Sequence, residues 1–256
     1  MNQTRIWDHF QSEGVDSFRN SVPRKRFLVE RLRSGQRVLN IGIGGGFFEL
    51  LALRRNMDVY SLDPSEAAVR RVRDSFGMGD RAVIGRAEAA PFESRYFDAI
   101  VMSEVLEHLD DDALAGALAE VRRLLAPGGR LLVTVPHDEN LADGAVVCPC
   151  CGEHFHRWGH VRRFDRPMLR ETLNRHGFVV RSLSLQAFPD WRRSGLWTWV
   201  KSATRFVLGK FGMPIAQPCI FAEAEVSPSP VCEAGGGTPV SGTDHEPTDI
   251  GATRAV

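Results

Sequence analysis

The sequence has no excess charge of either sign: 32 Lys and Arg stand against 32 Asp and Glu in 256 residues. A general electrostatic grip on nucleic acid would need a basic surplus, so this neutrality argues against such a partner. No apolar run approaches the roughly 18 to 20 residues of a membrane span, and residues 1–10 are polar, without the apolar stretch of an export signal. The expectation is a cytoplasmic protein. Large apolar residues are scarce beyond residue 226, where Pro, Gly, Ser and Thr dominate, so residues 227–256 cannot bury a core and are expected to form a disordered tail. Cysteines number only five, yet three crowd at Cys148, Cys150 and Cys151. In a cytoplasmic chain such crowding points to metal before disulfides.

What is present, 43% hydrophobic and 25% charged residues, suits one α/β domain with appendages. Apolar runs at residues 37–43, 58–62, 82–84, 97–102, 130–135, 178–185 and 219–226 read as strands. Helical patterns at 47–55, 65–76, 111–125 and 166–176 separate most of them, the signature of a doubly wound, largely parallel sheet. Residues 1–33 read as an N-terminal helical cap divided at Pro23, and 34–226 as the main domain with insertions at 138–165 and 188–218.

The strongest chemical signal is Asn40-Ile41-Gly42-Ile43-Gly44-Gly45-Gly46-Phe47, a strand, a glycine-rich turn and a helix start. A dinucleotide fingerprint needs a glycine where Phe47 stands, and a phosphate loop needs a Lys-Ser or Lys-Thr pair that is missing. Asp63 ends the second strand, where a carboxylate can accept hydrogen bonds from both ribose hydroxyls of an adenosine-containing ligand.

Gly42, Gly44 and Gly46, then Asp63, Gly85-Arg86-Ala87-Glu88-Ala89-Ala90-Pro91-Phe92, the run from Phe97 to His108, and Leu125-Ala126-Pro127-Gly128-Gly129 follow in the order found in class I S-adenosylmethionine-dependent methyltransferases. The chain resembles that family over residues 37–226. The resemblance implies a Rossmann-like seven-stranded sheet whose last two strands form an antiparallel edge. It also implies S-adenosylmethionine as cofactor, with Asn40, Gly42, Gly44 and Gly46 around its methionine and ribose portion. Asp63 would hold the ribose, Ala87 and Glu88 would lie beside the adenine, and Ser103 would close the site. Asn40 stands where the family usually has an acidic residue, and Arg86 replaces an acidic residue common near the adenine.

Glu104, Glu107 and His108, at i, i+3 and i+4 of one expected helix, would bring two carboxylates and an imidazole together. The set resembles that of ubiquinone-pathway O-methyltransferases and of enzymes that methylate the terminal 2′-hydroxyl of small RNAs, where a further His arrives from a later segment. His160 is the candidate for that residue, and together the four imply a catalytic divalent metal that binds and acidifies an acceptor hydroxyl. Many metal-free relatives carry a similar run that only packs locally. Without metal, His108, His137 or His160 would be the general base. Cys148 and Cys151 have the Cys-x-x-Cys spacing of a zinc knuckle, and His156 and His160, with His154 as substitute, would complete a structural zinc site. Free thiols in a loop are the other reading, and His160 cannot readily serve both sites.

The segment from Phe188 to Gly212 carries Trp191, Trp197 and Trp199, with Arg192, Arg193, Lys201, Arg205 and Lys210 against Asp190, a local net charge of +4. A cap over the sheet edge and pocket is favoured over peripheral membrane contact, and RNA stacking is the poorest fit. No Asn-Pro-Pro or Asp-Pro-Pro run follows the fourth strand, against amino-group methylation of nucleic acid. The sum is an S-adenosylmethionine-dependent methyltransferase acting on oxygen of a small molecule, saccharide or lipid-linked precursor. The alternatives are N-methylation of a small molecule and a non-catalytic cofactor-binding module.

Overall fold

The computed structural model describes residues 20–188 and 218–228, together with residues 11, 18, 204, 207 and 208. Its centre is a seven-stranded sheet in the order β3-β2-β1-β4-β5-β9-β8. The strands are β1 (Arg37–Ile41), β2 (Asp58–Asp63), β3 (Ala82–Ile84), β4 (Phe97–Ser103), β5 (Leu125–Pro136), β8 (Phe178–Gln186) and β9 (Cys219–Val226). The first five run parallel, and β9 lies antiparallel to both β5 and β8. The central strands read as near-continuous apolar runs because helices cover both faces of the sheet. One apolar cluster holds Leu39, Ile100, Leu131 and Leu169, and a second holds Val38, Phe48, Val59 and Val101.

Local chemistry fixes the helix ends. α3 (Glu66–Phe76) starts at Ser65, whose hydroxyl accepts from the Ala68 amide, and stops at Gly77 with φ of 64°. α4 (Asp111–Leu124) is capped by Asp110, with Asp111 and Asp112 in its first turn and Arg122 and Arg123 in its last, each sign matching the helix dipole. α5 (Arg166–Arg175) is capped by Asp165, which accepts from the Met168 amide. α2 (Phe47–Leu53) follows the glycine turn directly. Pro23, expected to divide two helices, sits in the first turn of α1 (Val22–Val29), where its missing N–H costs no intrahelical bond; most of the segment before it lies outside the described residues. Leu28, Val29 and Leu32 are buried with Val38 and Phe48, so the described part of the N-terminal segment belongs to the same core.

Two elements differ from expectation. β5 begins at Leu125 rather than Arg130: Leu125 pairs with Phe97 and Arg130 with Ala99, so residues 126–129 bulge outward, with Gly128 at φ of 75°. The insertion at 138–165 contains a hairpin of β6 (Ala145–Val147) and β7 (His154–His156) that no sequence period announced. All but residues 227 and 228 of the expected disordered tail, and most of the aromatic and basic segment at 188–212, lie outside the described residues. Among the described residues, no helix is long and apolar enough to cross a membrane.

Phe97 is fully buried and meets Tyr60, Phe92 and Tyr96 edge-to-face, with centroids 5.3, 5.3 and 5.1 Å away. Phe97→Ala is expected to cost about 3 to 5 kcal/mol. Urea unfolding should show this as a lowered midpoint at unchanged slope.

Candidate active site

The glycine turn lies at the carboxyl edge of the sheet, between β1 and α2. Gly42, Gly44 and Gly46 have φ of 89°, 58° and 76°, a region that strains any side chain. A Cβ at Gly42 would stand 2.8 Å from the Val105 Cγ2, so the turn is also pressed against the segment after β4. Asp63 is 1% exposed. Its Oδ2 accepts from the Ile43 amide and its Oδ1 from the Ser65 amide, both at 2.8 Å, and the Gln11 amide donates to both oxygens at 3.1 Å. Burial pushes the Asp63 carboxyl above the usual range, and those hydrogen bonds pull against it. The Gly85 amide bonds to the Asp63 carbonyl, which places buried Ala87 and half-buried Glu88 just beyond β3. Ser103 ends β4, its hydroxyl 3.0 Å from the Thr134 hydroxyl and accepting from Arg24 Nε at 3.1 Å.

Asn40, implied to contact the cofactor, lies beneath the glycine turn. It is fully buried, and its amide donates to the Gly42 carbonyl at 3.3 Å and to Glu49 Oε1 at 2.6 Å, so it braces the turn from below. Glu49 was not singled out in the sequence; it sits on α2, fully buried, and accepts from Ser61 as well. Burial holds its carboxyl above the ordinary range. Arg24 and Lys25 were also missed. Arg24 pairs with Glu104 at 3.5 Å, and burial followed by the charge of Arg24 pushes the 6% exposed Lys25 down to about 8. One signal was available: both cations stand in the first turn of α1, where the helix dipole disfavours positive charge and no acidic residue offsets it. A strand-end carboxylate, left-handed glycines, the buried Lys25 and the partly buried Arg24 fit the ribose, the close backbone approach and the carboxylate of S-adenosylmethionine.

The acidic and imidazole groups do not share one helix. Glu104 sits at φ of 58°, a strained backbone, and only Leu106–His108 forms a short 3₁₀ turn. Glu104 is drawn to Arg24, whereas donor atoms of Glu107, His108 and His160 lie within 4.8 Å of one another. Glu107 is 1% exposed, both of its carboxylate oxygens lack a hydrogen-bond partner, and burial followed by the charge of Glu104 raises its carboxyl well above the usual range. His108 Nδ1 bonds to the Gly159 carbonyl at 3.2 Å, and burial followed by His160 pushes its imidazole down to about 3. A carbonyl only accepts, so Nδ1 carries the proton and Nε2 the lone pair. His137 pairs with Phe164 as an isolated bridge and, among the described residues, joins no such donor group.

The expected zinc set is not assembled. In the β6–β7 hairpin Ala145 pairs with His156 and Val147 with His154, which puts Cys148 and Cys151 at the turn and His156 at the opposite end. His156 and His160 gather with Glu139 instead, and among the described residues no cysteine joins either donor group. Cys150 and Cys151 are exposed, and hydrogen bonds from their amides lower the Cys148 thiol. Asp63→Ala is expected to weaken S-adenosylmethionine binding by about 1 to 3 kcal/mol, the cost of losing a charged hydrogen-bond partner. A calorimetric titration would read it, and unchanged affinity would remove Asp63 from the site.

Comparison with known proteins gives the family and the fold. The model of the methyltransferase-domain family Methyltransf_23 matches residues 15–183. An uncharacterised methyltransferase of Mycobacterium bovis is 33% identical over 109 residues, 42% of this chain and 43% of the relative. The ubiquinone/menaquinone biosynthesis C-methyltransferase UbiE of Serratia proteamaculans is 36% identical over 123 residues, 43% of this chain and 47% of the relative. The chain thus spans under half the length of these curated relatives. Among solved structures, the 1,6-didemethyltoxoflavin-N1-methyltransferase of Burkholderia thailandensis, with bound S-adenosylhomocysteine, superposes with a TM-score of 0.62 at 18% identity, covering 88% of this chain and 87% of that one. The chain belongs to the Methyltransf_23 family and has the fold of class I S-adenosylmethionine-dependent methyltransferases.

Proposed function

We propose that this chain methylates a hydroxyl oxygen of a small molecule, saccharide or lipid-linked acceptor. One observation carries the choice of oxygen: Glu107 and His108, just after β4, converge with His160 of the insertion, and Val105 of that post-β4 segment lies against the glycine turn. A hydroxyl must lose its proton as it attacks, so a site for it needs acid–base or Lewis-acid groups at the acceptor position. A neutral amine needs less help.

When bound, S-adenosylmethionine supplies an electrophilic methyl carbon. The glycine turn and Asp63 would hold its nucleoside and Arg24 with Lys25 would hold its carboxylate, so orientation would contribute much of the rate. The donor set of Glu107, His108 and His160, two imidazoles and an unpartnered carboxylate, fits a divalent cation. Such an ion would acidify the acceptor hydroxyl. Glu104, with one oxygen buried and unpartnered, lies next to this set.

The test is transfer of labelled methyl from S-adenosylmethionine into a cell extract, with products separated into organic-soluble, small aqueous, protein and nucleic-acid fractions. The expected product is a methyl ether in one of the first two. An N-methyl product, or label in nucleic acid, would contradict oxygen transfer, and no release of S-adenosylhomocysteine would point to the binding-module alternative. Treatment with a chelator should lower turnover, and added Mn²⁺ should restore it; turnover indifferent to both would remove the metal.

A further inference from the structure

Glu139 follows β5 at the start of the insertion, outside every motif that resembles the family. Its Oε2 stands 2.5 Å from His160 Nδ1, and its Oε1 stands 3.6 Å from His156 Nε2. A carboxylate only accepts, so the proton of His160 lies on Nδ1 and its Nε2 keeps the lone pair. His156 Nδ1 accepts from the backbone amide of His160 at 3.2 Å, which leaves the proton on Nε2, a buried atom with no hydrogen-bond partner that lies 3.6 Å from Glu139 Oε1. The two rings stack with centroids 4.6 Å apart, and a Cβ at Gly144 would collide with His156, so the hairpin seats that ring tightly. On its other side His160 meets His108 edge-to-face, again at 4.6 Å.

We propose that Glu139 is a positioning residue of the candidate metal centre: braced by His156, it fixes the tautomer and orientation of His160, so that the Nε2 lone pair serves the cluster shared with Glu107 and His108. The Gly159 carbonyl does the same for His108 through Nδ1. Each imidazole of the cluster therefore has an acceptor on its far nitrogen, which in metal sites sets ring orientation and raises ligand basicity. The insertion supplies His160, its orienting carboxylate, the bracing imidazole and the carbonyl partner of His108. This rests on the metal reading given under Proposed function.

Co²⁺ titration of the full chain separates the two claims. The wild type is expected to bind Co²⁺ with a visible absorption band. Glu139→Gln should weaken binding roughly 10- to 100-fold and shift that band, while the melting temperature of the metal-free chain stays unchanged. Equal affinity and an identical spectrum in Glu139→Gln would overturn the positioning role while leaving the metal centre in place. A wild type that binds no Co²⁺ would overturn both. If Glu139→Gln fails to fold, His156→Gln decides: weaker Co²⁺ binding supports the brace, and unchanged binding rejects it.

Discussion

A carboxylate sealed from solvent holds the cofactor end of this domain together. Asp63 ends β2, yet it accepts hydrogen bonds from the Ile43 amide in the neighbouring turn, from Ser65 at the start of α3, and from Gln11 far upstream in sequence. Hydrogen bonds to a charged acceptor are worth about 1.5 to 3 kcal/mol each, and a buried charge without them would be prohibitive. The turn, the strand end and the N-terminal segment are therefore committed to one arrangement by a single side chain. Glu49 does related work one layer below, receiving Asn40 from β1 and Ser61 from β2. Two buried carboxylates thus stiffen a turn made mostly of glycine, which would otherwise be too mobile to present its backbone to a ligand.

The second half of the site is built differently. Strand ends place Ser103, Glu104 and the turn carrying Glu107 and His108, but His160 arrives from an insertion that also contains the β6–β7 hairpin. The insertion is tied back by the Val161 and Arg162 amides, which donate to the Glu107 carbonyl, and by Arg162, which donates to the Leu109 carbonyl and pairs with Asp111. These bonds bring residues more than fifty positions apart into one cluster.

Much of the fold was legible because central parallel strands buried on both faces leave unbroken apolar runs: the run at residues 97–102 stops one residue short of β4. Gly42, Gly44, Gly46 and Asp63 were legible too, since positive φ and a strand-end carboxylate leave traces in residue type. The start of β5 was not, because residues 126–129 bulge rather than pair. Glu104 was misplaced onto a helix because spacing alone cannot reveal a left-handed residue. The pairing of Cys148 and Cys151 with His156 and His160 failed for a similar reason: short sequence separation suggested proximity, whereas the hairpin register sends the two pairs to opposite ends. Glu139 and Arg24 act through contacts 21 and 79 positions away, with no local pattern to mark them.

The most direct measurement is a crystal structure of the chain with bound S-adenosylhomocysteine. The account predicts both ribose hydroxyls within hydrogen-bond distance of Asp63, the Gln11 amide moved off that carboxylate, and the sulfur facing the cluster of Glu107, His108 and His160. A nucleoside bound away from Asp63, or a sulfur directed away from that cluster, would contradict it.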